Sequence, residues 1–163
     1  MAALDVLILM GSDSDAPVMS AARDVLSEFG VRSEMTVASA HRSPARVLRL
    51  IDDAHARGVK VFIVGAGAAA HLAGVVAAHS TRPVIGVPID SSALNGLDAL
   101  LSTVQMPPGV PVATVAIGQA GATNAGVLAV QMMAIGDDAL AGKLVEYKRA
   151  LEQKVEAAAE RVK

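Results

Sequence analysis

The strongest constraint on the fold of this chain is that short runs of Val, Ile and Leu alternate with segments of helical length. The runs lack the alternation of period two that marks a half-exposed strand, so they predict strands covered on both faces, as in a parallel sheet. The predicted strands are residues 4–10, 33–38, 61–64, 84–87 and 112–117, and the predicted helices are residues 17–29, 44–56, 69–79, roughly 92–103 and 124–135.

This alternation predicts an α/β fold. Right-handed crossovers place helices on both faces of a central parallel sheet, which makes a three-layer αβα sandwich. Ligands of such sandwiches bind beyond the carboxyl ends of the strands. No linker and no repeat divides the chain, so residues 1–163 are predicted to form a single domain.

The composition excludes several classes of function. A formal charge of -2 and an aromatic content of 2% speak against binding of nucleic acid. The chain has no cysteine, which excludes disulfides, thiolate metal sites and a Cys nucleophile. Residues 1–10 carry Asp5 and no basic start, so we expect no signal peptide and a cytoplasmic location.

Residues 99–136 contain no charged side chain, but Pro, Gly, Gln and Asn are scattered through them. The stretch therefore predicts a segment that is buried on every side, in part at a contact between subunits, rather than a membrane span.

Charged residues return from Asp137 onwards, where apolar residues recur at spacings of four and three. This pattern predicts one amphipathic helix over residues 137–163. The helix either packs on its own domain or forms a C-terminal arm that lies across a neighbouring subunit, and the sequence leaves both open. The apolar positions are Leu140, Leu144, Tyr147, Leu151, Val155, Ala158 and Val162.

Polar residues follow each of the first three predicted strands. The first cluster is residues 11–15 (Gly-Ser-Asp-Ser-Asp), which lead into a helix near Pro17. Free N–H groups at a helix start and Ser hydroxyls attract phosphate, and a carboxylate beside them can hold ribose hydroxyls. Alternatively, Asp15 caps the helix while Ser12 and Ser14 make turn bonds.

The second cluster is residues 39–44, where Ser43 precedes Pro44 as a helix cap and leaves His41 and Arg42 at the strand-to-helix junction. Arg42 could bind a phosphate through its forked guanidinium, and His41 could exchange a proton near neutral pH. A solvated surface pair is the alternative.

The third cluster is residues 65–74, whose small side chains let a ligand lie against the main chain. His71 falls in the first turn of a helix, where the helix dipole favours a neutral imidazole. It could also merely end a tightly packed turn. His55 and His79 lie near the far ends of their helices, where a surface role suffices, and no His-x-x-x-His pair suggests a metal site.

Taken together, six motifs closely resemble the class I 5-(carboxyamino)imidazole ribonucleotide mutase family of de novo purine synthesis. They occur in order over about residues 5–150. The motifs are residues 10–15 (Met-Gly-Ser-Asp-Ser-Asp), 39–44 (Ser-Ala-His-Arg-Ser-Pro), 65–74 (Gly-Ala-Gly-Ala-Ala-Ala-His-Leu-Ala-Gly), 84–88 (Val-Ile-Gly-Val-Pro), 104–111 (Val-Gln-Met-Pro-Pro-Gly-Val-Pro) and 124–126 (Asn-Ala-Gly).

The resemblance implies a flavodoxin-like domain in a homo-octamer, with a small ribonucleotide substrate and neither metal nor organic cofactor. It implies that a carboxylate moves from the exocyclic amine of the ribonucleotide to ring carbon 4, by decarboxylation and recarboxylation with a His acid–base. His41 matches that acid–base, and His71 matches the second His of the site. The family's ribonucleotide-binding and pocket-lining positions correspond to Ser12, Asp15, Arg42, Ser39, Ala40, Gly67, Ala69, Ala70 and Leu72.

Two positions depart from the family pattern: Ala68 replaces a Gly and Ala73 replaces a Pro. A positive φ at position 68 would make the extra methyl cost on the order of 1 kcal/mol. The alternative functions are a carboxylase that uses carbon dioxide directly and a non-catalytic nucleotide-binding module. The carboxylase branch carries Lys where this chain has Arg42, and Ser-Asn near Ala70 and His71, so these residues favour the mutase.

Overall fold

The central sheet has five parallel strands in the order β2-β1-β3-β4-β5. The structure, a computed structural model, describes residues 2–162. This strand order is that of the flavodoxin-like doubly wound folds, so the predicted fold class is confirmed. The strands are β1 (Val6–Met10), β2 (Ser33–Val37), β3 (Val61–Gly67), β4 (Val84–Ile89) and β5 (Ala113–Thr114).

Helices cover both faces of the sheet, and alternate residues of β1 and β3 enter two separate cores. The helices are α1 (Ala16–Glu28), α2 (Pro44–Ala56), α3 (Leu72–His79), α4 (Leu97–Val104), α5 (Gly118–Ala134) and α6 (Asp138–Glu160), and a 3-10 turn (Asp13–Asp15) precedes α1. In β1, Leu7 and Leu9 face the core under α2 and α3, whereas Val6 and Ile8 face the core under α1 and α5. All four are buried, which explains why the run lacks a polar alternation.

Three helices start at other residues than predicted. In each case the backbone at the start takes a conformation that the periodicity of the sequence does not predict. Helix α3 begins at Leu72 rather than residue 69 because Ala68 and Ala70 have φ of 52° and 45°, which a right-handed helix excludes. Positive φ at Asn95 and Gly96 likewise delays α4. Helix α5 begins six residues early, at Gly118 instead of Asn124, and Gly121 in its first turn lets the helix lie close against the backbone of Ala116.

Helix α6 is divided between a packed half and an exposed half. Asp137 caps it by accepting from the N–H groups of Ala139 and Leu140. In the first half, Lys143 Nζ donates to the carbonyl of Phe29 at 2.7 Å, and the ring of Tyr147 lies 5.5 Å from that of Phe29. In the second half, Leu151 and Val155 are exposed, as is Val162 just after the helix. Lys163 falls outside the described residues, as does Met1 of the predicted domain.

Residues 99–136, predicted to be buried in part at a contact between subunits, are only partly buried within one chain. Leu101 and Val104 are about half exposed, and Ile135 is almost fully so. Helix α4 is short and turns only one face towards the sheet, so its outer face has nothing to pack against in one subunit. A subunit contact over part of this stretch stays a prediction. No helix within residues 2–162 is long and apolar enough to span a membrane.

Candidate active site

The three polar clusters meet at one cleft, at the carboxyl ends of β1, β2 and β3. Strands β1 and β3 are neighbours in the sheet. The connection after β1 runs to β2 on one side, and the connection after β3 runs to β4 on the other side, so a crevice opens between the two loops. The cleft has a volume of about 410 Å³. Its lining consists of Gly11, Ser12, Ser14, Asp15, Ser39, Ala40, His41, Arg42, Ala66, Gly67, Ala68, Ala70, His71, Leu72 and Ser91.

Every site residue expected from the sequence lies in this lining except Ala69. The side chain of Ala69 is exposed outside the cleft, and its carbonyl accepts a hydrogen bond from Ser102 of α4. Ala69 lies between Ala68 and Ala70, which both have positive φ, so the chain reverses there and turns the Ala69 side chain away from the cleft.

The turn after β1 is held by its own polar groups. The Asp15 carboxylate accepts from the Ser12 N–H at 3.1 Å, and the Ser12 hydroxyl accepts from the Ser14 N–H at 3.3 Å, which is a capping box around the 3-10 turn. The local capping role of these residues is thus real, and the same side chains face the cleft. Burial raises the pKa of Asp15 above the usual range of an aspartate.

Arg42 joins the loops that follow β1 and β2. Its Nη2 donates to the carbonyl of Gly11 at 2.9 Å, and its backbone N–H donates to the Ser39 hydroxyl at 3.2 Å. Within residues 2–162 the guanidinium has no carboxylate in ion-pair contact. The cleft therefore contains a fixed positive charge that can attract an anion such as phosphate.

The two histidines of the cleft form a direct pair. His41 Nε2 and His71 Nδ1 lie 2.6 Å apart, and the rings meet edge to face with centroids separated by 4.8 Å. A hydrogen bond at this distance requires one ring to donate and the other to accept, so a single hydrogen lies between them. His41 thus faces the same cleft as the turn at Ser12 and Asp15, as predicted from the sequence.

The wall that follows β3 is built by backbone conformation and close packing. A Cβ on Gly67 would overlap the hydroxyl of Ser91, so only glycine fits there. Ala68 and Ala70 both occupy the left-handed region, which alanine rarely adopts. The positive φ considered for position 68 is confirmed.

Comparison with known proteins places these observations in a family. The sequence profile of the AIR carboxylase family matches residues 5–154. The N5-carboxyaminoimidazole ribonucleotide mutase of Thermotoga maritima is 52% identical over 155 residues, which cover 95% of this chain and 90% of that protein. The mutase of the same name from Bacillus subtilis is 54% identical over 148 residues, 91% of each chain. A crystal structure of Treponema denticola PurE has a TM-score of 0.88 and 28% identity and covers 97% of this chain and 98% of its own.

The chain belongs to the AIR carboxylase family. The resemblance inferred from the six motifs is thereby confirmed, and the matched range contains the whole cleft of this family member. The second departure from the family pattern is structurally mild: Ala73 is buried in the first turn of α3, where a proline and an alanine both fit.

One lining residue, Ser91, lies outside the three clusters predicted from the sequence. Ser91 follows β4 directly, within a short polar run of Asp90, Ser91 and Ser92. The signal that identified the other clusters, polar residues at the carboxyl end of a buried strand, was present here as well. His55 and His79 lie outside the cleft lining, where His55 Nε2 contacts the Ser80 hydroxyl at 2.9 Å and His79 Nδ1 contacts the Val75 carbonyl.

Proposed function

We propose that this member of the AIR carboxylase family is a mutase of purine biosynthesis. It converts 5-(carboxyamino)imidazole ribonucleotide to 4-carboxy-5-aminoimidazole ribonucleotide. The observation that carries the proposal is the contact of 2.6 Å between His41 and His71 in a cleft that also holds the positively charged guanidinium of Arg42. Relatives about half identical over nearly the whole chain, named as mutases of this ribonucleotide, support it.

The sugar phosphate binds on the β1–β2 side of the cleft. Arg42 and the hydroxyls of Ser12 and Ser14 supply donors for the phosphate oxygens, and the Asp15 carboxylate accepts from ribose hydroxyls. These contacts lie away from the reacting bond, so their binding energy fixes the position of the base.

The proton moves through His41. As the carbamate C–N bond breaks, carbon dioxide leaves and the exocyclic nitrogen takes a proton from His41. Ring carbon 4 then attacks carbon dioxide, and His41 removes the hydrogen from that carbon, which restores both the aromatic ring and the imidazolium. One proton is given and one is recovered, so the step balances. His71, in contact with His41 Nε2, fixes the orientation of its ring.

Carbon dioxide must stay in the cleft between these steps. Gly67, Ala70 and Leu72 form a wall of small or apolar groups beside the histidine pair, and such a surface gives carbon dioxide no polar nucleophile to react with.

Labelled bicarbonate tests the proposal. We expect purified protein with the carbamate ribonucleotide, without added bicarbonate or metal, to form the carboxylated product. With labelled bicarbonate present, the product should keep the substrate's own unlabelled carboxylate. Formation of labelled product from aminoimidazole ribonucleotide and labelled bicarbonate would instead identify a direct carboxylase. Binding of the ribonucleotide without turnover would identify a non-catalytic module.

The same proposal includes an assembly. We propose that residues 1–163 act as one domain in a cytoplasmic homo-octamer, with residues 137–163 as an arm against a neighbouring subunit. The exposed apolar side chains of Leu97 and Leu101 on α4, and of Val155 on α6, support burial between subunits. Light scattering, which gives the molar mass in solution, tests the octamer.

A further inference from the structure

Ser91 stands on the side of the cleft opposite the phosphate-binding residues. It follows β4, whose Ile89 pairs in register with Gly67 at the end of β3. Its side chain lies directly over the Cα of Gly67 and faces the cleft. The sheet order β2-β1-β3-β4 therefore places Arg42 at one end of the cleft, the two histidines between, and Ser91 at the other end.

The hydroxyl of Ser91 is available for a ligand. Within the described part of the chain, residues 2–162, it has no hydrogen-bond partner. Its neighbour Ser92 is fully engaged: the Ser92 hydroxyl donates to Asp98 at 2.7 Å and accepts from the Leu94 N–H at 3.2 Å. The loop is thus anchored through Ser92, which holds Ser91 in place without using its hydroxyl.

The surroundings of this hydroxyl select the group that it would bind. Apart from His71, whose Nδ1 contacts His41, the lining residues at and after the end of β3 offer no polar side-chain atom; they are Ala66, Gly67, Ala68, Ala70 and Leu72. A carboxylate that lies against such a wall loses part of its water, so a hydrogen-bond donor beside it is favourable. A Ser hydroxyl supplies one and adds no charge that would repel or trap the anion.

We propose that Ser91 is a specificity-determining residue that donates a hydrogen bond to the carboxylate on ring carbon 4 of the product base. This inference rests on the proposed function. A ribonucleotide whose phosphate lies at Arg42 directs its base past the histidine pair towards Ser91. The hydroxyl then distinguishes a carboxylated base from the same base without its carboxylate.

The test compares the affinities of two ribonucleotides that differ only in this group. The probes are 4-carboxy-5-aminoimidazole ribonucleotide and aminoimidazole ribonucleotide, each titrated against the wild-type protein and Ser91→Ala. We expect Ser91→Ala to weaken binding of the carboxylated ligand by about 10- to 100-fold, as for loss of a hydrogen bond to a charged group. Binding of the other ligand should change by less than about twofold.

Ser92→Ala is the matched control, because it removes a neighbouring hydroxyl that anchors the loop to Asp98. A loosened loop weakens the binding of both ligands equally, so in Ser92→Ala the ratio of the two affinities should stay at the wild-type value. An unchanged ratio in Ser91→Ala overturns the role of Ser91, whether or not both affinities fall. Failure of the wild-type protein to bind or convert either ribonucleotide would instead refute the proposed function.

Discussion

The two sides of the cleft achieve their shape by different means. On the β1–β2 side, polar side chains bond to the backbone of their own loops, as Asp15 does with Ser12 and Arg42 with Gly11. On the β3 side, the loop contributes alanines in left-handed conformation and is tied to α4 through Ser102. The β1–β2 side holds charged groups in place, and the β3 side shapes an apolar surface. Substitutions on the first should therefore change chemistry or affinity, and substitutions on the second should change fit and stability.

The histidine pair joins these two sides, so its loss should have the largest effect. We expect His41→Asn to reduce kcat by about 100-fold or more, the low end of general acid–base contributions, because an amide cannot exchange the proton. The dissociation constant for the ribonucleotide should stay within a few-fold, since Arg42 and Asp15 remain. Steady-state kinetics and ligand titration measure the two quantities separately.

His55→Asn provides a matched control. His55 is also exposed and bonded through Nε2, but its partner is Ser80, and it lies outside the cleft lining. Its substitution should leave turnover within about twofold. Near-normal turnover in His41→Asn would exclude His41 from proton transfer.

A smaller effect is expected from the pH dependence of binding on the polar side. Burial raises the pKa of Asp15, so its carboxylate becomes protonated at a higher pH than the usual value of about 3.9. The protonated form accepts ribose hydroxyls less strongly. Affinity for the ribonucleotide should therefore fall, by about tenfold, as the pH is lowered through this raised pKa.

Asp15→Asn separates this effect from titration of the ligand phosphate. Its amide oxygen can still accept from the Ser12 N–H, so the turn is kept, but the group no longer titrates. The variant should bind weakly and lack the part of the pH dependence that belongs to Asp15. Identical pH profiles for the two proteins would show that the Asp15 carboxylate does not contact the ligand.

The sequence predicted the polar side better than the strained side. Helix α2 was predicted at its observed bounds, residues 44–56, because Pro44 starts it and Gly58 follows its end. The polar clusters were found because they follow buried strands, and the same rule could have identified Ser91. The contact between His41 and His71 joins residues 30 positions apart on different loops, so no local spacing could predict it.

The start of α3 was misplaced for a related reason. Residues 68–70 are three alanines, the residue with the highest helix propensity, and their pattern favours helix. Tertiary packing instead forces two of them to positive φ. Propensity describes what a residue prefers, whereas this wall is shaped by Gly67 under Ser91 and by the hydrogen bond from Ser102 to Ala69.

The smallest predicted effect tests whether that wall is strained. Glycine adopts positive φ without the steric cost that alanine carries, but it also gains entropy in the unfolded chain. For Ala68→Gly the relief of about 1–2 kcal/mol exceeds the entropic loss of about 0.4–1 kcal/mol. We expect the free energy of unfolding to rise by about 0.5–1 kcal/mol, measured by denaturant titration.

Ala69→Gly is the natural counterpart, because Ala69 lies next to Ala68 and is not among the residues of positive φ. It has no strain to lose, so it should incur only the entropic cost and lower the free energy of unfolding. Each substitution removes one methyl group, and the two residues are adjacent and exposed. Changes of opposite sign in the free energy of unfolding can therefore come only from the backbone. If both variants were destabilised equally, the β3 side would carry no strain, and its contrast with the polar side would rest on side-chain chemistry alone.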